Sequence, residues 1–266
     1  MARTLEIGQY SGTKIKEARQ PNFTCSVTTY DSVTFDRTRH YHPKTHLSFV
    51  LAGGCEEQKK DRYNRTPLST TFYYPGEEHQ INHIANQSVH VNIEFNDSFF
   101  NYPINESLIE SACKSNLSLP FLMIKIYNEL LIQDDLSNVG IETSVLSLFD
   151  THQQTLNIKQ IPLWAIIAKD YIWDNWNTNL CLDRLAIVCG VHKVTISKYF
   201  AKYHGSTPSD YQRQIRLIRA VDMIRSNQYS LTEITFLCGF ADQSHFIRSF
   251  KLFMGFLPKQ FQRLQR

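Results

Sequence analysis

The 266-residue chain reads as an α+β protein: a β-rich N-terminal domain with a helical hairpin, then an all-α domain built on two helix-turn-helix units. Three observations predict this. Between Cys25 and Phe95 the apolar residues come in short β-branched and aromatic runs. From about Phe121 they recur at helical spacing. Beyond Pro162 no strand signal remains, and a repeat with a period near 50 residues begins.

In chain order, residues 1–24 are polar with little periodic signal and predict a loosely ordered lead-in. The runs CSVTTY, HLSFVLAG, STTFYYP and SVHVNIEF predict strands, separated by turn signals at Gly53-Gly54, Asn64, Pro75-Gly76 and Asn86. Several short strands at regular spacing point to a small barrel or sandwich. Phe121, Ile124, Tyr127 and Leu131 share one helical face, and Ile141, Val145, Leu148 and Phe149 another, which predicts a hairpin over 117–156. That hairpin completes the core of a domain spanning 25–156 or forms a dimer interface. Residues 157–162 predict a linker, with Pro162 suited to start the next helix, and 163–266 the second domain.

Composition narrows the function. With 42% hydrophobic and 20% charged residues the chain can bury a core. No apolar run approaches the ~18 residues of a membrane span, and the first residues lack the apolar core of a secretion signal. Six cysteines form no CxxC pair, which argues against a zinc knuckle or a disulfide scaffold and predicts buried reduced thiols in a cytoplasmic protein. Residues 178–266 carry 13 Lys and Arg against 5 Asp and Glu, whereas the rest carries 15 against 20. A basic C-terminal third beside an acidic remainder points to a polyanionic partner.

The repeat carries most of the argument. Ile196, Phe200, Tyr203, Gly205 and Pro208 recur 50 positions on as Phe246, Phe250, Phe253, Gly255 and Pro258. Leu185, Cys189, Gly190 and Val191 recur 49 positions on as Ile234, Cys238, Gly239 and Phe240. Each copy has the grammar of a helix-turn-helix. Leu185, Ala186 and Cys189 form the inner face of a short helix, Gly190 supplies a positive-φ turn, and Val191 plugs the corner. Ile196, Tyr199, Phe200 and Tyr203 then pin the second helix. Thr235 takes the place of Ala186 in the second copy.

Pinning one face frees another. In the first copy it shows His192, Lys193, Val194, Ser197, Lys198 and Lys202; in the second, Gln243, Ser244, His245, Ile247, Arg248 and Lys251, with Asp242 as a helix cap. Gln suits adenine, Arg suits guanine, and Lys reaches phosphate. Between the copies, 208–227 predicts a helix with an apolar stripe of Tyr211, Ile215, Ile218, Val221 and Ile224, to which Arg213, Arg216 and Arg219 add positive charge. Such a helix spans ~28 Å, close to one DNA turn of ~34 Å. The plain alternative is a duplicated helical hairpin whose polar faces are only solvated.

The stretch 234–263, with its GF-x-D-Q-S-H-F-x-R-x-F-K pattern, resembles the signature of the AraC/XylS family of bacterial transcription regulators, and the similarity runs from about 163 to 266. The resemblance implies base contacts from Val194, Ser197 and Lys198, and from Gln243, Ser244 and Arg248. The first copy departs from the family's pattern: His192 stands where Ser is usual, and Lys198 where Arg is. Lys lacks the bidentate fork of Arg, which shifts the first unit toward gripping phosphate.

In larger members the N-terminal domain resembles a cupin-like β-barrel that binds an effector or dimerises. Here His40, His42 and His46, and later Pro75-Gly76 with His79 and His83, resemble the two cupin motifs, whose residues converge on a metal in metal-binding cupins. His46 replaces the usual glutamate. The alternative is that these histidines only line a pocket or a loop surface, and no metal or other cofactor is assigned. The expected function is a non-enzymatic, sequence-specific DNA-binding regulator of the bacterial cytoplasm and nucleoid. Its partners are double-stranded DNA, a small-molecule effector, RNA polymerase and a second copy of the chain. A metal cupin enzyme with a nucleic-acid tether is the competing class.

Overall fold

The structure, a computed structural model, describes residues 2–101, 106–156 and 161–265. Contacts divide the chain into two units, Met1–Phe149 and Asp150–Arg263.

In the first unit the four strands with β-branched and aromatic runs form: β3 (Phe23–Tyr30), β5 (His46–Ala52), β8 (Thr70–Tyr73) and β10 (Ser88–Phe95). Four others also form: β2 (Thr13–Arg19), β6 (Cys55–Gln58), β7 (Arg62–Arg65) and β9 (Gln80–Ile84). The short β1 (Arg3–Thr4) and β4 (His40–Tyr41) pair in parallel. One antiparallel sheet runs in the order β2-β3-β10-β5-β8, and a second runs β7-β6-β9. β5 and most of β3 and β10 are buried throughout, so both faces of the larger sheet are covered. The helix α2 (Leu119–Ile132) lies against β2, β3 and β5, and hydrogen bonds from the smaller sheet reach β5 and β8.

Two sequence expectations fail here. The closed barrel is absent among the described residues: the backbone ladders end at sheet edges. Side chains link the sheets instead. Arg65 and Glu57, 3% and 0% exposed, pair at 3.3 Å. The Tyr73 hydroxyl donates to Glu57 at 2.8 Å and accepts from Arg65 Nη1 at 3.0 Å. Arg65 Nη2 donates to the Ser48 carbonyl at 2.6 Å. The turn expected at Asn64 is accordingly a strand residue in β7.

The lead-in is also structured. β2 pairs with β3 along its length, and Leu5 is buried. The cause is a carboxylate: Glu94 on β10 is 1% exposed, and it accepts from the Gly8 amide at 3.0 Å and from the Tyr10 hydroxyl. A buried carboxylate needs donors, and the first residues supply them.

The helical hairpin forms as α2 and α3 (Ser137–Leu156), preceded by α1 (Glu106–Ser115). Phe121, Ile124, Tyr127, Ile141, Val145 and Leu148 are buried as expected. Leu131 is 40% exposed, and Leu130 takes the inward place. The side chain of Phe149 and residues 157–160 of the expected linker lie outside the described residues. Cys181 is exposed and Cys113 half-buried, so the thiols are not all sequestered as expected.

The second unit contains α4 (Leu163–Asp174), α5 (Leu182–Cys189), α6 (Lys193–His204), α7 (Pro208–Ser226), α8 (Leu231–Leu237), α9 (Gln243–Met254) and α10 (Pro258–Leu264). α7 touches α4, α6, α8 and α9 and is buried on most of its circumference. Arg216, expected to add positive charge to this helix, is 9% exposed. It donates to the carbonyls of Trp176 at 2.8 Å and Thr178 at 2.7 Å. Gln212 donates to the carbonyls of Asn175 at 3.0 Å and Thr178 at 2.9 Å. One helix thus clamps the backbone of the loop after α4. No helix among the described residues is long and apolar enough to cross a membrane.

Replacing Glu57 by Ala strands the Arg65 guanidinium in a dry core and is expected to cost ~3–5 kcal/mol. Chemical denaturation followed by circular dichroism measures this, and Glu57→Gln, which keeps an acceptor oxygen, costs less.

Candidate nucleic-acid interface and buried histidine cluster

Each second helix is aimed by the turn that precedes it. Gly190 ends α5 at φ 64°, and Gly239 follows α8 at φ 73°. This left-handed backbone strains any residue with a Cβ. The two glycines differ in their surroundings. A Cβ on Gly190 would meet nothing within 4 Å, whereas one on Gly239 would lie 2.0 Å from the Asn177 carbonyl oxygen. The turn of the second unit is therefore pressed against the loop that Arg216 and Gln212 hold.

The helices then start on capped amides. Asp242 accepts from the His245 amide at 2.7 Å, as expected of a cap. His192 does the same for α6, its Nδ1 accepting from the Val194 amide at 3.3 Å. An imidazole nitrogen with a lone pair replaces the hydroxyl usual at this place. α8 begins with a reciprocal cap between Ser230 and Glu233.

The equivalent residues of the repeat occupy equivalent places. Ile196, Phe200, Phe246 and Phe250 are wholly buried, as are Leu185 and Ile234. Thr235 is buried too, and its hydroxyl donates to the Leu231 carbonyl at 2.7 Å, so the departure from alanine is satisfied locally. Tyr199, expected to pin α6, is 42% exposed instead.

On α6 the side chains of Lys193, Val194, Ser197, Lys198 and Lys202 are exposed, along with His192 before it. Lys193 is drawn into an exposed ion pair with Asp183 at 2.7 Å. On α9, Gln243, Ser244, Arg248 and Lys251 are exposed, while His245 and Ile247 are half-buried. The His245 ring leans edge-on against Phe240 at 5.4 Å, so only part of it faces outward. The second helix thus offers an amide, a hydroxyl, a guanidinium and an ammonium, the first three able to read base edges.

A family profile described as a helix-turn-helix domain matches residues 185–264. The transcriptional regulator GbdR of Pseudomonas aeruginosa is 32% identical over 78 residues, which are 29% of this chain and 21% of GbdR. The transcriptional activator RhaS of Salmonella newport is 28% identical over 89 residues, 34% of this chain and 32% of RhaS. Residues 185–264 thus carry a helix-turn-helix domain of the kind shared with these two transcription regulators. A solved AraC-type regulator from Chromobacterium violaceum covers 38% of this chain at 25% identity, with 89% of its own chain aligned and a TM-score of 0.36. The chain spans about a fifth of GbdR and a third of RhaS, and both matches are partial. Arg216 and Gln212 are the positioning residues that sequence periodicity missed, because a polar side chain carries no apolar spacing signal.

In the N-terminal unit the predicted histidines separate. His40, His42, His46 and His79 are buried together, with neighbouring ring centres 4.2–6.0 Å apart. His83, expected among them, is exposed on β9: Ile81 and Ile84 take the inward places. The group borders a cavity of about 20 Å³ that Tyr10, Ser48, Arg65, Tyr73 and Asn92 also line. Burial drives His42 and His79 down to about 3, and neighbouring histidines add to the effect. His40 is lowered as well, and His46 and the separately buried His90 well below the ordinary value, all through burial.

Two outcomes follow. Gly190→Ala is expected to cost ~1–2 kcal/mol, the strain of a left-handed alanine, whereas Gly239→Ala costs more because the Asn177 carbonyl must also move; thermal melts of the two variants compare them. Acid acts on the N-terminal unit. Its buried histidines resist protons that the unfolded chain accepts, so stability is level above the ordinary histidine value of 6.5 and falls as pH drops from there toward about 3. The slope is up to ~1.4 kcal/mol per pH unit for each histidine, and denaturant midpoints measured in chelator between pH 7 and 5 test it.

Proposed function

We propose that the chain is a sequence-specific DNA-binding transcription regulator. It reads two successive major grooves with α6 and α9, and its N-terminal unit sets its activity by taking a small effector, by pairing with a second copy, or both. The observation that carries this is the duplicated display: two helices on equivalent capped turns, pinned from behind and joined by α7, each turning polar and basic residues outward. At 19 residues α7 is ~28 Å long, which suits reading heads one DNA turn apart.

The roles divide by chemistry. Gln243, Ser244 and Arg248 read base edges; Lys251, Lys202, Lys198 and Lys193 grip phosphate; Val194 packs on a thymine methyl and Ser197 makes an adaptable hydrogen bond. His192 and the half-buried His245 act mainly in placing their helices. The 13 Lys and Arg of residues 178–266 supply the field that draws in the duplex. Pairing is supported by Ile132, Leu136, Val139 and Leu146 on the helical hairpin, which are 49–74% exposed. RNA polymerase is the partner that a regulator bound beside a promoter would meet, in the cytoplasm and on the nucleoid.

Selection of bound duplexes from a random pool by the full chain tests the reading, with a two-part motif about one helical turn apart as the expected result. Arg248→Ala is expected to lose ~1–3 kcal/mol on the selected duplex and to relax preference at one base position. Equal loss on every duplex would make Arg248 a phosphate contact. Affinity should also fall steeply with salt; a flat response contradicts the electrostatic grip.

A further inference from the structure

The buried histidines of the N-terminal unit play no part in reading DNA. His40, His42 and His79 each offer one ring nitrogen, and these nitrogens lie within 4.8 Å of one another. Two of the rings are already oriented. Nδ1 of His40 lies 2.8 Å from the Thr38 carbonyl oxygen, and Nδ1 of His79 lies 3.0 Å from that of Glu77. A carbonyl only accepts, so each Nδ1 carries the proton and each Nε2 presents a lone pair. The two backbones are locked as well: His40 N donates to His79 O at 2.9 Å, and His79 N to His40 O at 2.8 Å. The third ring is unsatisfied. His42 is 3% exposed, and its Nδ1 is buried with no hydrogen-bond partner. A native core rarely leaves such an atom dry without a reason.

We propose that His40, His42 and His79 form a binding site for a divalent transition-metal ion, with the ion's remaining position facing the small cavity. The space of about 20 Å³ is enough for one water or one ion. Three imidazoles without a carboxylate select zinc, cobalt, nickel, copper or iron over magnesium and calcium. The Nδ1–H to carbonyl bonds of His40 and His79 are the outer-shell contacts that orient ligating imidazoles. A tetrahedral ion bound at ~2.0–2.1 Å sets its nitrogens ~3.3 Å apart, so the rings draw together slightly on binding. His46 is not one of the three: its ring stacks on Tyr73 at 4.2 Å. Arg65, which lines the same cavity, has its charge matched by Glu57. As a metal site the proposal stands on these contacts alone; as the input to DNA binding it rests on the regulator reading.

The test is a cobalt(II) titration of the tag-free full chain after chelator treatment, read by visible absorption and by elemental analysis after gel filtration. Saturation is expected at ~1 equivalent, with affinity reduced at least ~10-fold in His42→Ala and His79→Ala and unchanged in His83→Ala. Less than ~0.1 equivalent bound, or equal loss in His83→Ala, overturns the site. Should the triad variants fail to fold, the wild-type melt decides: cobalt is expected to raise Tm and chelator to reverse it, and no shift overturns the proposal. Duplex selection separates the two readings. Cobalt bound without any selected duplex sinks the regulator and spares the metal site; a selected duplex without bound cobalt does the reverse.

Discussion

The helix-turn-helix unit depends on a buried guanidinium. Arg216 sits inside α7 and satisfies the carbonyls of Trp176 and Thr178, while Gln212 one turn earlier takes those of Asn175 and Thr178. Buried donors such as these need acceptors or cost free energy, and the loop carbonyls take four bonds from α7. The guanidinium also lies over the Phe240 ring, 5.7 Å from its centre, which is the corner residue of the second turn. The loop it holds presses the Asn177 carbonyl against Gly239. Thus one side chain connects α4, the central helix and the turn that aims α9.

The two halves of the repeat are alike in geometry and unlike in chemistry. Both helices start on a capped amide and end on a left-handed glycine. Yet α6 opens on an imidazole cap and shows ammonium groups, one of them paired with Asp183, whereas α9 opens on a carboxylate and shows an amide and a guanidinium. Ammonium is a point charge, and guanidinium is a planar fork. The same scaffold therefore presents one helix with point charges and one with planar hydrogen-bonding groups.

The N-terminal unit follows a related rule with different groups. Its sheets are joined by Glu57, Arg65 and Tyr73, its first residues are held by Glu94, and His40 and His79 are each oriented by a carbonyl two residues earlier in the chain. Each is a buried polar group that fixes geometry through the partners it meets. His42, like His46 and His90, keeps a buried Nδ1 without a hydrogen-bond partner, and His42 and His46 border a small cavity.

What the sequence determined by itself was what period and repetition carry. The strands β3, β5, β8 and β10 and the two hairpin helices follow from apolar spacing. The duplicated unit follows from residues that recur 49 or 50 positions on, and the residues offered to DNA follow from subtracting the pinned face. Tertiary structure decided the polar interior. The strands β2, β6, β7 and β9 are rich in charge and amide, and in one sequence such runs look like loops because their partners lie far along the chain. Arg216 read only as added positive charge, His83 as a fellow of His79, and the strands as a small barrel or sandwich. In each case the outcome turned on which donor met which acceptor across the fold, and that pairing is settled by position in space, not by periodicity.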